Sequence, residues 1–420
     1  MAARQAGTEW ATTMMKINVI PAGRLSPDQV SAWGRLQSAN PTLDSPFFRP
    51  EFTQAVAAVR DDVDVAVLEE ADRPVGFFPF HPGRFQVGLP VGYPLSDFQG
   101  VIAGYDLAWD PKHLLRGCRL KGWRFNHLLA CQAPFGPYHC VPADSPYMDL
   151  SRGFAAYVQE REAAGCDQFR NVRRKARKAE REIGPVRFEM HTDDQRVFHA
   201  LLAWKTSQYR RQKATNYLAP AWSVALLENL RSSRVSDPGG AWLSQETGQK
   251  VFSGVLSALY VGNRLAAVHL GMRSFGVLHF WFPAYDPELG KYSPGLVLLV
   301  EMARAAAARG IRRIDLGRGN ERYKRSLMSG AIPLAEGAVD LRPAAALLRC
   351  GWLRMRESLR GSLLHLPVRY VVRSIRRRLN SYALQPGCPC VSGRTGGEHA
   401  SPPQESDVPR DRQPRGIATR

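Results

Sequence analysis

The chain has 420 residues, of which 44% are hydrophobic, 10% aromatic and 23% charged. At roughly 150 residues per domain, this length predicts two or three domains and excludes a single small binding module. The composition excludes a mainly disordered protein, because enough apolar surface is available to offset the conformational entropy lost on folding. The sequence has no uninterrupted apolar stretch of about 18 residues, which argues against a membrane-spanning helix.

The amino terminus and the cysteines indicate a reducing compartment. Residues 1–16 lack the apolar core of a secretory signal, which predicts a cytoplasmic protein. The seven cysteines are odd in number and mostly lie in apolar segments, so they predict buried thiols and no disulfide framework. Cys131, His139 and Cys140 lack a second pair at zinc-ligand spacing, and we predict no metal site.

The formal charge of +19 is concentrated in two segments. Residues 167–182 hold seven basic and three acidic side chains, and residues 342–383 hold ten arginines and one glutamate. Such runs form either a solvated face or a surface for an anionic partner.

The first half of the chain has α+β patterning. Residues 63–83 contain two β-rich runs around a polar connection, which predicts a hairpin. Residues 85–104 add short β-like pieces separated by Gly and Pro. Residues 52–60 before them and 154–164 after them have helical periodicity.

The first basic segment predicts a helix with a narrow apolar seam. The seam comprises Phe169, Val172, Ala176, Ala179 and Ile183, at steps of three and four. The remaining circumference is basic. It is either solvated, with Glu/Arg pairs along the helix, or it binds an anionic substrate or a polyphosphate.

The second half has a clearer order of elements. Helical periodicity over residues 198–211 and 221–230 is followed by three β-runs within 251–287, which predict an antiparallel meander. Residues 296–310 then predict a mostly apolar helix, and 311–317 a further strand. The order predicts a mixed α/β unit of about 170 residues.

The second basic segment predicts an amphipathic helix. Its apolar stripe comprises Leu348, Trp352, Met355, Leu359, Leu363 and Leu366. A helix of this kind either lies on an anionic membrane, which would make the protein peripheral to the inner membrane, or folds back onto its own domain. Residues after about 384 lack periodicity and predict a disordered tail.

Several stretches resemble one family of acyltransferases. The stretch YDPELGKYSPGLVLLVEMARAAAARGIRRIDLGRGNERYKRSL is similar to the signature region of the CelD-like GNAT acetyltransferases of cellulose and exopolysaccharide biosynthesis, relatives of the Fem aminoacyltransferases. FRNVRRKARKAEREIG, SPFFRPEFTQAVAAV, VGFFPFH and LSDFQG resemble other parts of that family. The resemblance spans roughly residues 40–342. It implies two tandem GNAT-like domains with mixed sheets flanked by helices, the first degenerate and the second catalytic.

The resemblance also implies a site for an acyl donor. In a GNAT unit the strand before the glycine loop splays from its neighbour, and its backbone N–H groups receive the thioester carbonyl and the pantetheine arm. The implied donor is acetyl-CoA or another acyl-CoA, and its loop lies at a helix N-terminus, where N–H groups favour phosphate. Pro294 in this loop lacks an N–H, which departs from the family pattern and leaves the nature of the donor open. The expected donor-binding residues are Phe280, Trp281, Phe282, Lys291, Tyr292, Ser293 and Gly295.

The D-x-x-R-G-x-x-x-Y-K pattern after the last strand carries the implied catalytic residues. Asp315 is the expected base, Tyr323 the acid that protonates the departing thiolate, and Lys324 the group that neutralises phosphate or an oxyanion. Asp286, His269, His279 and Glu321 are other candidates for the base. The expected substrate-binding residues are Arg170, Arg174, Asp97 and Arg318.

These expectations define a domain plan and three hypotheses. The plan is an extension over 1–40, a degenerate domain over 41–160, a catalytic domain over 161–342, a basic helical segment over 343–383 and a tail over 384–420. The first hypothesis is acyl transfer from acyl-CoA to a sugar or polysaccharide precursor. The second is a Fem-like enzyme that uses aminoacyl-tRNA, and the third is a non-catalytic scaffold of a polysaccharide synthase complex. We expect DNA to be no partner, and tRNA to be one only under the second hypothesis.

Overall fold

The computed structural model describes residues 15–232 and 252–360, which form a mixed sheet flanked by helices and confirm the predicted α/β class. The described strands are β1 (Lys16–Pro21), β2 (Asp64–Glu70), β3 (Arg73–His81), β4 (Val87–Pro90), β5 (Ile102–Ala103), β6 (Gly122–Leu129), β7 (His139–Asp149), β8 (Val186–Glu189), β9 (Ser253–Val261), β10 (Arg264–Ser274), β11 (Val277–Tyr285), β12 (Arg313–Asp315) and β13 (Gly330–Asp340). The described α-helices are α1 (Pro27–Ala39), α2 (Pro50–Ala57), α3 (Pro111–Gly117), α4 (Phe154–Ala163), α5 (Gln168–Glu182), α6 (Gln195–Arg211), α7 (Ala221–Ser232), α8 (Pro294–Ala307), α9 (Arg322–Leu327) and α10 (Pro343–Arg360).

One continuous sheet joins the two halves of the chain. Its order is β1-β2-β3-β4-β6-β13-β7-β12-β11-β10-β9-β8, with β5 paired to β3. The late strand β13 lies between β6 and β7, so it connects the strands of the first half to those of the second. The sheet therefore runs on across residue 160, and the domain plan itself stays a prediction.

Both predicted hairpin regions are present. The hairpin within 63–83 is formed by β2 and β3, whose turn residues Ala71 and Asp72 both have positive φ, as a two-residue type I′ turn requires. The meander within 251–287 is formed by β9, β10 and β11 in antiparallel pairing.

Two apolar cores lie on opposite faces of the second-half strands. Helices α4, α5 and α8 cover one face, in a cluster that includes Phe169 and Leu298. Helices α6 and α7 cover the other face together with α1 and α2, in a cluster that includes Phe52 and Phe282. The second cluster takes residues from both halves, so the halves share a core.

The two basic segments differ from their predicted patterns in one respect each. In α5, Phe169, Val172 and Ala179 are buried as the seam predicts, but Ile183 follows the helix and is exposed. The expected stripe of α10 is not its buried side, because α10 packs on β7 and β13 through Leu353. Leu348 is 75% exposed. Residues 361–383 of the predicted amphipathic helix and the predicted tail from 384 lie outside the described residues.

Candidate active site

The sheet opens between β11 and β12. These strands pair in parallel only from Val277 and Arg313 to His279 and Asp315. β12 ends there, whereas β11 continues to Tyr285. Within residues 15–232 and 252–360, no strand pairs with this edge of β11 beyond His279. An edge of this kind leaves backbone N–H and C=O groups for a ligand.

A β-bulge shapes β11 where the opening starts. Phe280 and Trp281 lie opposite the single residue Gly271 of β10. The Trp281 N–H donates to His269 Nε2 at 3.2 Å. Burial lowers the pKa of His269 to about 3, so its imidazole is neutral and can accept this bond. The Trp281 indole donates to Leu95 O at 3.0 Å and remains half-buried, so this ring lies against the first half.

The three aromatic residues expected to bind the donor occupy different environments. The Phe280 ring stacks on the His269 ring, with centroids 4.5 Å apart, and is buried on the α8 side. Phe282 is buried on the opposite side, among residues of α6 and α7. Both rings belong to the cores, so neither ring can bind a ligand. Only the backbone groups of Phe280 and Phe282 could contact one.

The predicted phosphate loop precedes α8. Ser293 has a φ of +53°, a strained value for a residue other than glycine, and it is followed by Pro294 at the first helical position. The side chains of Lys291 and Tyr292 both bond to Glu182 of α5, at 3.0 and 2.6 Å. These two hydrogen bonds, that of Tyr292 above all, lower the pKa of Glu182 to about 2. The loop is thus tied to a charged carboxylate.

The start of α8 offers few free backbone donors. Pro294 has no N–H, and the N–H groups of Leu296 and Val297 both donate to Ser293 O. The N–H of Gly295 remains, and no described residue accepts from it.

A carboxylate of the first half lies at the inner end of the opening. Asp97 Oδ2 is 2.9 Å from Nε2 of His279, the last β11 residue that pairs with β12. Asp97 Oδ1 is 3.8 Å from Nε2 of His127 on β6. The His279 side chain is fully buried, whereas 25% of the Asp97 side chain is exposed. Asp97 is therefore the member of this pair that a ligand can touch.

The surroundings keep Asp97 ionised and His127 neutral. Burial acts to raise the pKa of Asp97, but the hydrogen bond from His279 and the charges of nearby basic groups outweigh it, so this pKa lies below its usual value. Burial lowers the pKa of His127 to about 4. The ionised carboxylate of Asp97 thus lies between the side chains of His127 and His279.

The LSDFQG segment positions this carboxylate. The Gln99 amide accepts from the N–H groups of Asn126 and His127 at 2.9 and 3.1 Å and donates to Asn126 Oδ1 at 2.8 Å, which fixes the segment to β6. Gly317, with a φ of +70°, passes close to the carboxylate, since a Cβ there would lie 3.2 Å from Asp97 Oδ2. Glycine at 317 allows both the backbone conformation and the close approach.

Asp315, the expected base, lies in a buried ion-pair network. Its side chain is fully buried and accepts from Arg313 Nε at 2.8 Å. Arg313 also binds both carboxylate oxygens of Asp44, at 2.5 and 2.8 Å. Asp315 therefore has no surface on the opening.

Lys324 holds the loop that follows β12. It is buried, and its ammonium donates to Gly317 O at 3.0 Å and to Arg318 O at 3.2 Å. Its third partner is Glu321, at 3.4 Å. These partners match the three N–H donors of an ammonium group.

Arg318 and Tyr323 complete the expected motif. Arg318 donates to Asn126 O at 2.9 Å and approaches Glu336 at 3.4 Å, so it bridges to the first half beside the Asp97 segment. Tyr323 lies on α9, which contacts β7 and α5, and packs against the core that these elements share with α8. Burial raises the pKa of Tyr323, so its phenol is protonated at neutral pH.

Arg170 and Arg174 lie elsewhere, on the exposed face of α5. Together with three neighbours they line a surface groove made of Arg170, Arg173, Arg174, Arg177 and Arg181. Neither Arg170 nor Arg174 contacts Asp97 within the part of the chain that the structure describes.

Sequence reasoning missed part of this centre. Lys205 of α6 is buried and donates to Pro283 O at 3.0 Å. Pro283 lies on the stretch of β11 beyond the residues that pair with β12. Burial lowers the pKa of Lys205 to about 8. His127 gave no sequence signal, and His279 was one of several possible bases. A polar residue inside an apolar β-run was the sole hint for His279.

The described ranges hold neither a metal-binding cluster nor a membrane-spanning helix. No group of three His, Cys, Asp or Glu side chains there could hold a metal ion. No helix in these ranges has the length and apolar character needed to cross a membrane.

Comparison with known proteins identifies one domain. Residues 167–325 match the family model described as acetyltransferase (GNAT) domain, which confirms the prediction of a GNAT-type acyltransferase. No curated protein matches the chain.

Solved structures with similar folds include three of note. FemX is 9% identical, with a TM-score of 0.48 and coverage of 79% of this chain and 100% of that chain. The C-terminal domain of a putative lysylphosphatidylglycerol synthetase from Agrobacterium fabrum is 10% identical, with a TM-score of 0.46 and coverage of 76% and 93%. A tandem GNAT protein from the clavulanic acid biosynthesis pathway is 9% identical, with a TM-score of 0.43 and coverage of 78% and 99%.

Proposed function

We propose that this protein transfers an acyl group from a thioester donor, of which acyl-CoA is the simplest form, to a hydroxyl or amine of a sugar or polysaccharide precursor. The observation that carries the proposal is the unpaired edge of β11, which begins after His279 and beside the partly exposed carboxylate of Asp97. A thioester lying along this edge would bring its carbonyl to the inner end of the opening. The CelD-like resemblance motivates the sugar acceptor, and the cytoplasm is the proposed compartment.

Asp97 is the proposed general base. A carboxylate can accept the proton of a hydroxyl group as that group attacks, as the catalytic aspartate of a protein kinase does. The buried imidazole of His279 donates to Asp97 and fixes its orientation, which makes His279 a positioning residue. Asp315 has no exposed surface, so we propose that it supports β12 through Arg313.

The transfer itself is a substitution at the acyl carbon. The acceptor oxygen or nitrogen forms a bond to the carbonyl carbon and gives its proton to Asp97, and the carbon–sulfur bond breaks. The departing thiolate takes a proton from a neighbouring acid, for which we propose the neutral phenol of Tyr323. The products are the acylated acceptor and the free thiol of the donor.

The test is the variant Asp97→Asn, assayed for thiol release from acetyl-CoA and acetyl-pantetheine with a panel of amino sugars and oligosaccharides. The asparagine amide can still accept a hydrogen bond from His279, so the fold should persist while the base is lost. We expect kcat to fall by about 100- to 10,000-fold. Asp72→Asn is the matched control, because Asp72 is exposed on the turn between β2 and β3, where asparagine suits the positive φ, and this variant should keep its activity. Equal activity of both variants, or no thiol release from the wild type with any acceptor, would refute the proposal.

A donor carried on RNA is the second candidate. The arginine face of α5 favours it, because an aminoacyl-tRNA would meet phosphates there. Transfer of a radiolabelled aminoacyl group from charged tRNA to the same acceptors, measured beside thiol release from the thioesters, separates the two candidates, because an aminoacyl ester leaves as a ribose hydroxyl and releases no thiol.

Contact with an anionic membrane remains a proposal for residues 343–383. Within the described part of that segment, Leu347 and Leu348 are both 75% exposed on α10. Exposed leucines beside arginines suit an interfacial helix. Sedimentation of the protein with phosphatidylglycerol vesicles, with and without residues 343–383, tests this contact.

A further inference from the structure

The exposed side of α5 is a continuous arginine surface. Arg170, Arg173, Arg174, Arg177 and Arg181 line one groove, and the helix rises about 16 Å from Arg170 to Arg181. Arg173 pairs with Glu162, and Arg174 approaches Asn171.

The other three arginines of this face are unpaired. Arg170, Arg177 and Arg181 are exposed and have no ion-pair partner in residues 15–232 and 252–360. Unpaired arginines in a row repel one another unless an anionic partner covers them.

The same helix abuts the phosphate loop. Lys175 donates to Lys291 O, and Glu182 binds the side chains of Lys291 and Tyr292. Lys175 and Glu182 project from a different side of α5 than the arginines, so a partner bound to the arginine surface would lie about one helix diameter, roughly 10–12 Å, from the loop.

The loop is poorly equipped for a diphosphate. Its one lysine is already neutralised by Glu182, and Gly295 supplies the one backbone N–H left at the start of α8. A diphosphate carries more charge than one N–H can offset, and the nearby Glu182 carboxylate repels it. The positive charge lies instead on α5, spread over a length that suits a protein helix.

We propose that the acyl donor is a phosphopantetheine thioester carried on an acidic carrier protein, which docks on the arginine face of α5. This inference rests on the proposed thioester chemistry and names its donor. A single phosphodiester at the base of the arm needs fewer donors than the diphosphate of CoA, and an acidic helix of about three turns complements the five arginines. The carrier would leave with a free thiol after each transfer.

RNA is the less favoured partner for this face. An aminoacyl ester has no pantetheine arm to lie along β11.

The experiment compares three donors. They are acetyl-CoA, acetyl-pantetheine, and an acidic bacterial acyl carrier protein that bears an acetyl-phosphopantetheine group. Thiol release is measured for the full chain and for the variant Arg170→Glu/Arg177→Glu/Arg181→Glu. We expect the wild type to have its highest kcat/KM with the carrier. In the variant, the ratio of kcat/KM for the carrier to that for acetyl-pantetheine should fall by about tenfold or more, because charge reversal opposes association with an acidic partner.

Arg24→Glu/Arg35→Glu/Arg116→Glu is the matched control. It makes the same change in net charge at three exposed positions of the first half, and its donor ratio should equal that of the wild type. The inference is overturned if acetyl-CoA matches or surpasses the carrier, if the control changes the ratio as much as the α5 variant, or if tRNA competes with the carrier for α5. Failure of the proposed function is a different result, namely no thiol release from any of the three donors.

Discussion

Replacement of Lys205 by methionine should stabilise the protein at neutral pH. The Lys205 side chain is 9% exposed, and its ammonium donates to Pro283 O at 3.0 Å under the opening of the sheet. Burial, aided by the charge of Lys324, lowers the pKa of Lys205 from 10.5 to about 8. At about 1.4 kcal/mol per pKa unit, this difference means that burying the charged form costs about 3 kcal/mol.

The sign of the effect follows from the proton balance. At pH 7 the ammonium is charged in both the folded and the unfolded states, so the folded protein bears the full cost. Between pH 8 and 10.5 the unfolded chain keeps a proton that the folded protein has lost, and the stability contributed by Lys205 rises with pH. The advantage of Lys205→Met over the wild type should therefore shrink by about 3 kcal/mol between pH 7 and pH 10.5.

Urea unfolding, followed by circular dichroism at several pH values in this range, measures the difference. Lys112→Met is the control, because Lys112 is exposed on α3 and its replacement should give a difference that does not vary with pH. If the difference for Lys205→Met were also constant, the ammonium would be solvated in the folded protein, and its burial under β11 would be refuted.

Two other substitutions test the geometry of the centre. Gly317→Ala should destabilise the protein by about 1–2 kcal/mol, because alanine is strained at the positive φ of this position. It should also lower kcat, because the new Cβ would press on the Asp97 carboxylate. The control Gly165→Ala, at a φ of +85° with open space around it, should lower stability alone. Thermal unfolding and thiol release measured on both variants check this, and equal activity losses would contradict it. Arg313→Met should destabilise the folded protein by about 3–5 kcal/mol at pH 7, because it leaves the buried carboxylate of Asp315 unpaired. A loss below about 1 kcal/mol in urea unfolding would contradict that role of the arginine.

Local patterns carried the prediction of the elements. The hairpin of β2 and β3, the meander of β9 to β11 and helices α5 and α8 were all predicted from periodicity and turn residues. Each of these patterns lies within a few turns or one hairpin, so neighbours in sequence are sufficient to produce it. The prediction that the apolar stripe of α10 is its buried face was wrong, because the face that a helix buries depends on its tertiary partners, here β7 and β13.

The proposed catalytic centre depends on contacts between distant residues. Asp97 and His279 are 182 positions apart, and the resemblance to a known family marked Asp97 without revealing its partner. Asp315 stood out in the motif, yet the network with Arg313 and Asp44 removes it from the surface of the opening.

The class of fold, the order of the second-half elements and the acyltransferase resemblance could all be predicted from the amino-acid sequence, because they depend on local periodicity and on short motifs. Tertiary structure alone decided that β13 joins the two halves, that the pairing of β11 stops at His279, and which polar side chains face the opening. Sequence patterns do not reveal these features, because burial and strand pairing are set by the residues packed around a group, and those residues come from both halves of the chain.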